Sequence, residues 1–259
     1  MFNRYKLKCD KSLENLIENF EEIGKSLNEN TQKTVSDNLR KYIREDGYID
    51  FVTIQEEWFP TIEADIFISH SHNDMKVVNA LVGWLTQELK LKVFVDSYIW
   101  KSCDDLLYKI DKKFCLQSDQ KTFDYHKRNF STTQVHMTLA NALHKMIDRT
   151  ECIIFLETEN SLSLNTDIEK GTSSAWIYSE LVMSNLLREN LPKRYLKKSK
   201  EEREKFYNIT ESFNPLFRSD KELSQFTLIE ACHLQKVSQY NLVQGHEYLD
   251  ELYKLLKNK

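Results

Sequence analysis

Two stretches carry residues whose types and spacing can do chemistry. In "FISHSHND" (67–74), His70, His72 and Asp74 stand at H-x-H-x-D spacing. On a loop that leaves a strand, two imidazoles and a carboxylate so spaced can converge on a metal, and a metallohydrolase at His70, His72 and Asp74 is one reading. The other reading is a polar loop that binds a ligand, with hydrogen bonds from Ser69, Ser71 and Asn73 and donors from His70 and His72. The histidine that would complete an H-x-H-x-D-H set is replaced by Met75, and Gly245-His246 stands alone near the C-terminus. The second stretch is Trp176-Ile-Tyr-Ser-Glu180. On a helix, positions i and i+4 share a face, so the indole can wall a pocket into which the carboxylate points.

Three apolar runs must position these residues: "DIFIS" (65–69), "KVFVD" (92–96) and "CIIFL" (152–156). Each is apolar on both faces, as strands of a helix-covered parallel sheet are. Between them lie helical stripes. Val78, Leu81, Leu85 and Leu89 form one in 73–90, and Val135, Leu139, Ala142, Leu143 and Met146 form another in 134–148. Strand and helix in alternation predict a doubly wound α/β domain. Its ligands bind at the carboxyl ends of strands, so the loops at 69–74, 96–103 and 157–175 are expected to line one site.

Residues 1–60 read as a helical extension, from Leu13, Leu16, Ile17, Phe20, Ile23 and Leu27 and again from Val35, Leu39 and Ile43. Its helices pack on the α/β domain or serve oligomerisation. Residues 114–133 read as an insertion or long loop before a helix, in which His126, Lys127 and Arg128 are placed to meet a phosphate or to be solvated. The charge run at 193–206 reads as a solvated helix face, "QFTLIEA" as a strand or a helix, and "LDELYKLLKN" as a terminal helix.

The chain of 259 residues carries a net charge of −4 and a pI near 6.0, which argues against a dedicated nucleic-acid binder. Its five cysteines form no C-x-x-C pair, so they read as reduced thiols of a cytoplasmic protein. No apolar run approaches a membrane span, and no membrane association is expected. Phosphate-binding glycine motifs and a G-x-S-x-G elbow are absent.

In order along the chain come a strand ending in "FIS", a strand reading "VFVD", then "IIFLETENSL" and the Trp176-to-Glu180 helix. This series resembles the Toll/interleukin-1 receptor (TIR) domain of bacteria over residues 62–190. The resemblance implies a flavodoxin-like parallel sheet within 61–259, with 191–259 as a helical C-terminal extension. It implies NAD+ as substrate, with no cofactor, and cleavage of the nicotinamide–ribose bond. The products would be nicotinamide and ADP-ribose, or a cyclic or conjugated ADP-ribose signal. Glu180 matches the catalytic carboxylate. Ser69, His70, Ser71, His72, Phe94, Asp96, Trp100 and Trp176 match substrate-binding positions, with a core phenylalanine as the other reading of Phe94. Some family members carry arginine where Ser71 and His72 stand. The resemblance also implies self-association through TIR domains, an effector that senses the product, and a setting in bacterial antiviral defence. A TIR interaction module without catalysis is the alternative.

Overall fold

The apolar runs form neighbouring parallel strands in a computed structural model that describes residues 2–31, 39–45, 48–162, 172, 174–187, 192, 194–195 and 220–257. The strands are β1 (Asn3–Lys8), β2 (Ile66–Ser69), β3 (Val93–Val95), β4 (Cys152–Glu157) and β5 (Thr227–Ile229). They build one parallel sheet in the order β3-β2-β4-β1-β5. The helices are α1 (Lys11–Ile17), α2 (Glu21–Thr31), α3 (Phe51–Trp58), α4 (Met75–Leu89), α5 (Ser97–Phe114), α6 (Tyr125–Arg149), α7 (Ala175–Leu186), α8 (Asp220–Leu223), α9 (Ala231–Ser238) and α10 (Gly245–Lys257).

Alternation along the strands divides the interior into two cores. Ile66, Ile68, Val95, Ile154, Leu156, Tyr5 and Leu7 face a core that α1, α4, α9 and α10 close. Phe67, Phe94, Ile153 and Phe155 face a second core under α3, α5, α6 and α7. The sheet is therefore covered on both faces, which explains why β2, β3 and β4 are apolar throughout. Among the described residues no helix is long and apolar enough to cross a membrane.

The N-terminal segment differs from the expected extension. Its first residues form β1, which lies between β4 and β5 in the interior of the sheet. Counted from β2, the order β3-β2-β4 is second-first-third, as a flavodoxin-like sheet begins. The fourth position is then filled by the N-terminal strand. The reason "NRYKLK" does not read as an interior strand is its charge. Tyr5 and Leu7 are buried. Arg4 points the other way and finds distant acceptors, donating to the backbone carbonyls of Ser184 (2.7 Å) and Leu187 (3.2 Å) at the end of α7. Lys6 pairs with Glu157 at 3.6 Å. The leucine stripe does give α1 and α2, whereas Val35 lies outside the described residues.

The stretch 114–133 is also more regular than expected. α5 runs to Phe114 and α6 already starts at Tyr125, capped by Asp124, which accepts from Lys127 N–H at 2.9 Å. The first turns of α6 show no apolar stripe because they are largely exposed. "QFTLIEA" supplies the short strand β5, and the terminal helix is α10. Of the charge run, residues 193 and 196–206 lie outside the described residues.

Helix α2 approaches α4 closely enough to require glycine on both. A Cβ on Gly24 would lie 1.9 Å from Asn79 O, and one on Gly83 would lie 2.2 Å from Phe20 O. Both obstacles are backbone, so one helix must move. Gly83→Ala is expected to lower stability by about 1–3 kcal/mol. Urea unfolding measures this, and an unchanged midpoint would refute the close crossing.

Candidate active site

The chain reverses its direction of travel across the sheet at β2 and β4. From β2 it passes through α4 to β3 on one flank, and from β4 it passes through α7 to β5 on the other. The two exits diverge at the carboxyl ends, the usual ligand position in such sheets.

Ser69 closes β2 and Asp96 follows β3. Both keep the phase of Phe67 and Phe94, so they project toward the α7 face. α7 begins at a Ser174 cap, whose hydroxyl accepts from Ile177 N–H at 3.3 Å, and Arg4 fastens its far end. Glu180 lies between these two anchors. Ser69, His70, Asp96 and Glu180 are 0, 2, 3 and 2% exposed, so four polar residues share one enclosed place.

Burial first, then the charge of Asp96, raises the Glu180 carboxyl well above the usual carboxylate range. Burial therefore favours the protonated form of Glu180 over the carboxylate. The Ser69 hydroxyl lies beside it and favours the ionised form, though not in position for a full hydrogen bond. His70 Nδ1 is 3.3 Å from Asp96 Oδ1 and 3.4 Å from Ile68 O, so the ring proton belongs on Nδ1. Burial lowers the His70 pKa and keeps the ring neutral, with Asp96 acting in the opposite sense. The lone pair is then on Nε2. Among the described residues, Ser69 Oγ, His70 Nε2 and Glu180 Oε1 are buried without a hydrogen-bond partner. Unpaired buried polar atoms are costly, and three in one cluster mark a place built for a polar ligand or for proton exchange.

The remaining expected site residues have separate positions. Ser71 caps the short turn His72–Asp74, accepting from Asn73 N–H at 3.4 Å. His72 is exposed, its ring stacked on His70 at 6.1 Å. Phe94 is a core side chain, packed on Phe67 with ring centroids 5.3 Å apart. Trp176 is half-buried and meets His136 of α6 edge to face at 5.9 Å. The Trp100 side chain lies outside the described residues.

Asp74 is not a third metal ligand beside His70 and His72. Its two oxygens accept from Thr158 Oγ1 and Asn160 Nδ2, each at 2.6 Å. It thus ties the loop after β2 to the loop after β4. Sequence gave no sign of this pairing, since the partners lie far along the chain. Among the described residues, the metal-ligating side chains whose donor atoms meet in a group of three are Glu230, Cys232 and His233. Their proximity belongs to the start of α9, where His233 Nδ1 accepts from Glu230 N–H at 3.0 Å in a capping box.

Two cavities of about 460 Å³, one along β3 and one between α3, α5 and α6, are lined by residues other than Glu180. At 2% exposure, Glu180 is enclosed. Comparison of the chain with protein-family models, with curated proteins and with solved structures found no match.

Proposed function

We propose that the protein is a TIR-like NAD+ nucleosidase with Glu180 as its catalytic carboxylate. One observation carries the reading: Glu180 meets Ser69 and Asp96, and Asp96 meets His70, at the carboxyl ends of β2 and β3, enclosed and with hydrogen-bonding capacity unused among the described residues. The β2/β4 reversal and the second-first-third strand order support it.

The chemistry suits these groups. Nicotinamide carries a positive charge in NAD+ and leaves as a neutral amine, so the leaving group needs no acid. The ribose is left as an oxocarbenium-like cation, which an adjacent carboxylate stabilises. Glu180 must therefore ionise. Opening of this enclosure admits water and the cationic ring, and both lower the cost of a negative charge there. His70, neutral and with its Nε2 lone pair open, is a base within the same cluster. Water adds at the ribose carbon and loses a proton, giving nicotinamide, ADP-ribose and H+. An internal nucleophile or a second nucleotide in place of water gives a cyclic or conjugated product. Such a product would serve as a signal to an effector in bacterial antiviral defence, within the cytoplasm.

The enclosure of Glu180 favours a second reading, a TIR interaction module in which the pair with Asp96 is inert. Both readings include self-association. Nicotinamide release from NAD+ by the purified protein, assayed across protein concentration, separates them. The enzyme turns over and loses activity with Glu180→Gln, whereas the module does neither.

A further inference from the structure

We infer that the groove between α3, α5 and α6, whose lining does not include Glu180, docks a partner protein segment that presents an apolar side chain flanked by carboxylates. The groove encloses about 460 Å³ and is lined by Ile49, Phe51, Ile110, Phe114 and Phe130, with Lys127 at its rim. Phe130 is 68% exposed and Phe114 38%, and Tyr125 beside them on α6 is 73% exposed. Aromatic rings cost free energy when left in water, and an apolar trough with a polar rim is how a protein contact surface is built.

The charge around the groove says what kind of partner fits. α6 opens on His126, Lys127 and Arg128, with no acidic residue in its first turn. The helix dipole is already positive there, so each cation placed in that turn costs about 0.3–1 kcal/mol. α5 ends beside it with Lys112 and Lys113 in its last turn. The local carboxylates are engaged: Asp111 offsets Arg128, and Asp50 caps α3, which leaves Lys112, Lys113 and Lys127 as the excess charge. Asp111 is buried and accepts from Arg128 Nε at 3.0 Å and from Ser131 Oγ at 2.5 Å. Asp124 caps the α6 backbone. Lys113 sits over the Phe114 ring at 5.4 Å and Arg128 over Phe123 at 5.3 Å. In a chain of net charge −4 this basic surround is a local feature. Carboxylates on a partner would offset it, while an apolar anchor covers Phe130 and Phe114. A segment of this kind lays one side chain into an open trough, as helix-in-groove recognition does.

The test pans the full-length protein against a displayed library of random peptides, then measures enriched peptides by fluorescence anisotropy. Enriched sequences are expected to carry Leu, Phe or Trp flanked by Asp or Glu. Phe130→Asp and Lys127→Glu, both at exposed positions, should each weaken binding about tenfold or more. Replacing the peptide's acidic residues with lysine should recover part of the loss against Lys127→Glu. Enrichment without an acidic pattern, or binding that neither variant alters, would overturn the inference. So would a self-dimer, read by light scattering, that Phe130→Asp dissolves, since the groove would then serve a second copy. Phe130-dependent binding to phosphatidylserine vesicles would assign it to a lipid surface instead.

Discussion

Deletion of residues 1–9 abolishes folding on this account. β1 is paired on both edges, with β4 from Asn3↔Cys152 to Lys8↔Glu157 and with β5 from Tyr5↔Thr227 to Leu7↔Ile229. Its loss leaves β5 without a neighbour and opens the edge of β4. Phe2, Tyr5 and Leu7 are 5, 3 and 0% exposed, and each large apolar side chain buried in this way contributes about 1.5–3 kcal/mol. Together they rival the ~5–15 kcal/mol that holds a whole domain. Arg4 would go too, and with it the anchor at the end of α7 that helps set Glu180 in place. The measurement is thermal unfolding followed by circular dichroism. The truncated chain should show no cooperative transition or should not be recovered in solution. A transition within a few degrees of the full chain's would mean that the segment is a detachable extension after all.

Glu180→Gln has the second large effect, and it acts in two directions. If Glu180 stabilises the developing ribose cation, the amide removes that charge and turnover falls by about 100- to 1,000-fold or more. Stability moves the other way. The folded chain holds the Glu180 proton above the pH at which the unfolded chain releases it, because burial and Asp96 oppose ionisation. The folded state then binds more protons than the unfolded state, so this residue's contribution falls as pH rises above the ordinary glutamate value through the raised one. Glutamine has no proton to lose. The variant should therefore melt higher than the parent at about pH 8, with the difference shrinking toward about pH 5, near the free glutamate pKa. A variant less stable than the parent at the higher pH would show that Glu180 is ionised and favourably paired.

The sequence made the two-sided sheet legible where burial is symmetrical. Strands β2, β3 and β4 lie under helices on both faces, and their runs of Ile, Val and Phe say so directly. β1 escaped because Arg4 and Lys6 meet carbonyls and a carboxylate that the chain supplies far downstream. The early start of α6 escaped because an exposed helix face has no apolar period. At the site, the order of motifs placed Ser69, His70, Asp96 and Glu180 at one end of the sheet, and the fold brings these four together. Their near-complete burial was not legible, since exposure depends on how α7 lies over β2 and β3. Asp74 misled for a related reason: its spacing to His70 and His72 imitates a ligand set, while its carboxylate is held by Thr158 and Asn160.

Glu180 is proposed to cleave the nicotinamide–ribose bond of NAD+. The most direct test of this proposal incubates the purified full chain with NAD+ at high protein concentration, beside Glu180→Gln, and separates the products by chromatography and mass spectrometry. Nicotinamide together with linear, cyclic or conjugated ADP-ribose is expected from the parent, and none from the variant. Turnover that persists in Glu180→Gln, or intact NAD+ after incubation with folded, self-associated protein, would contradict it.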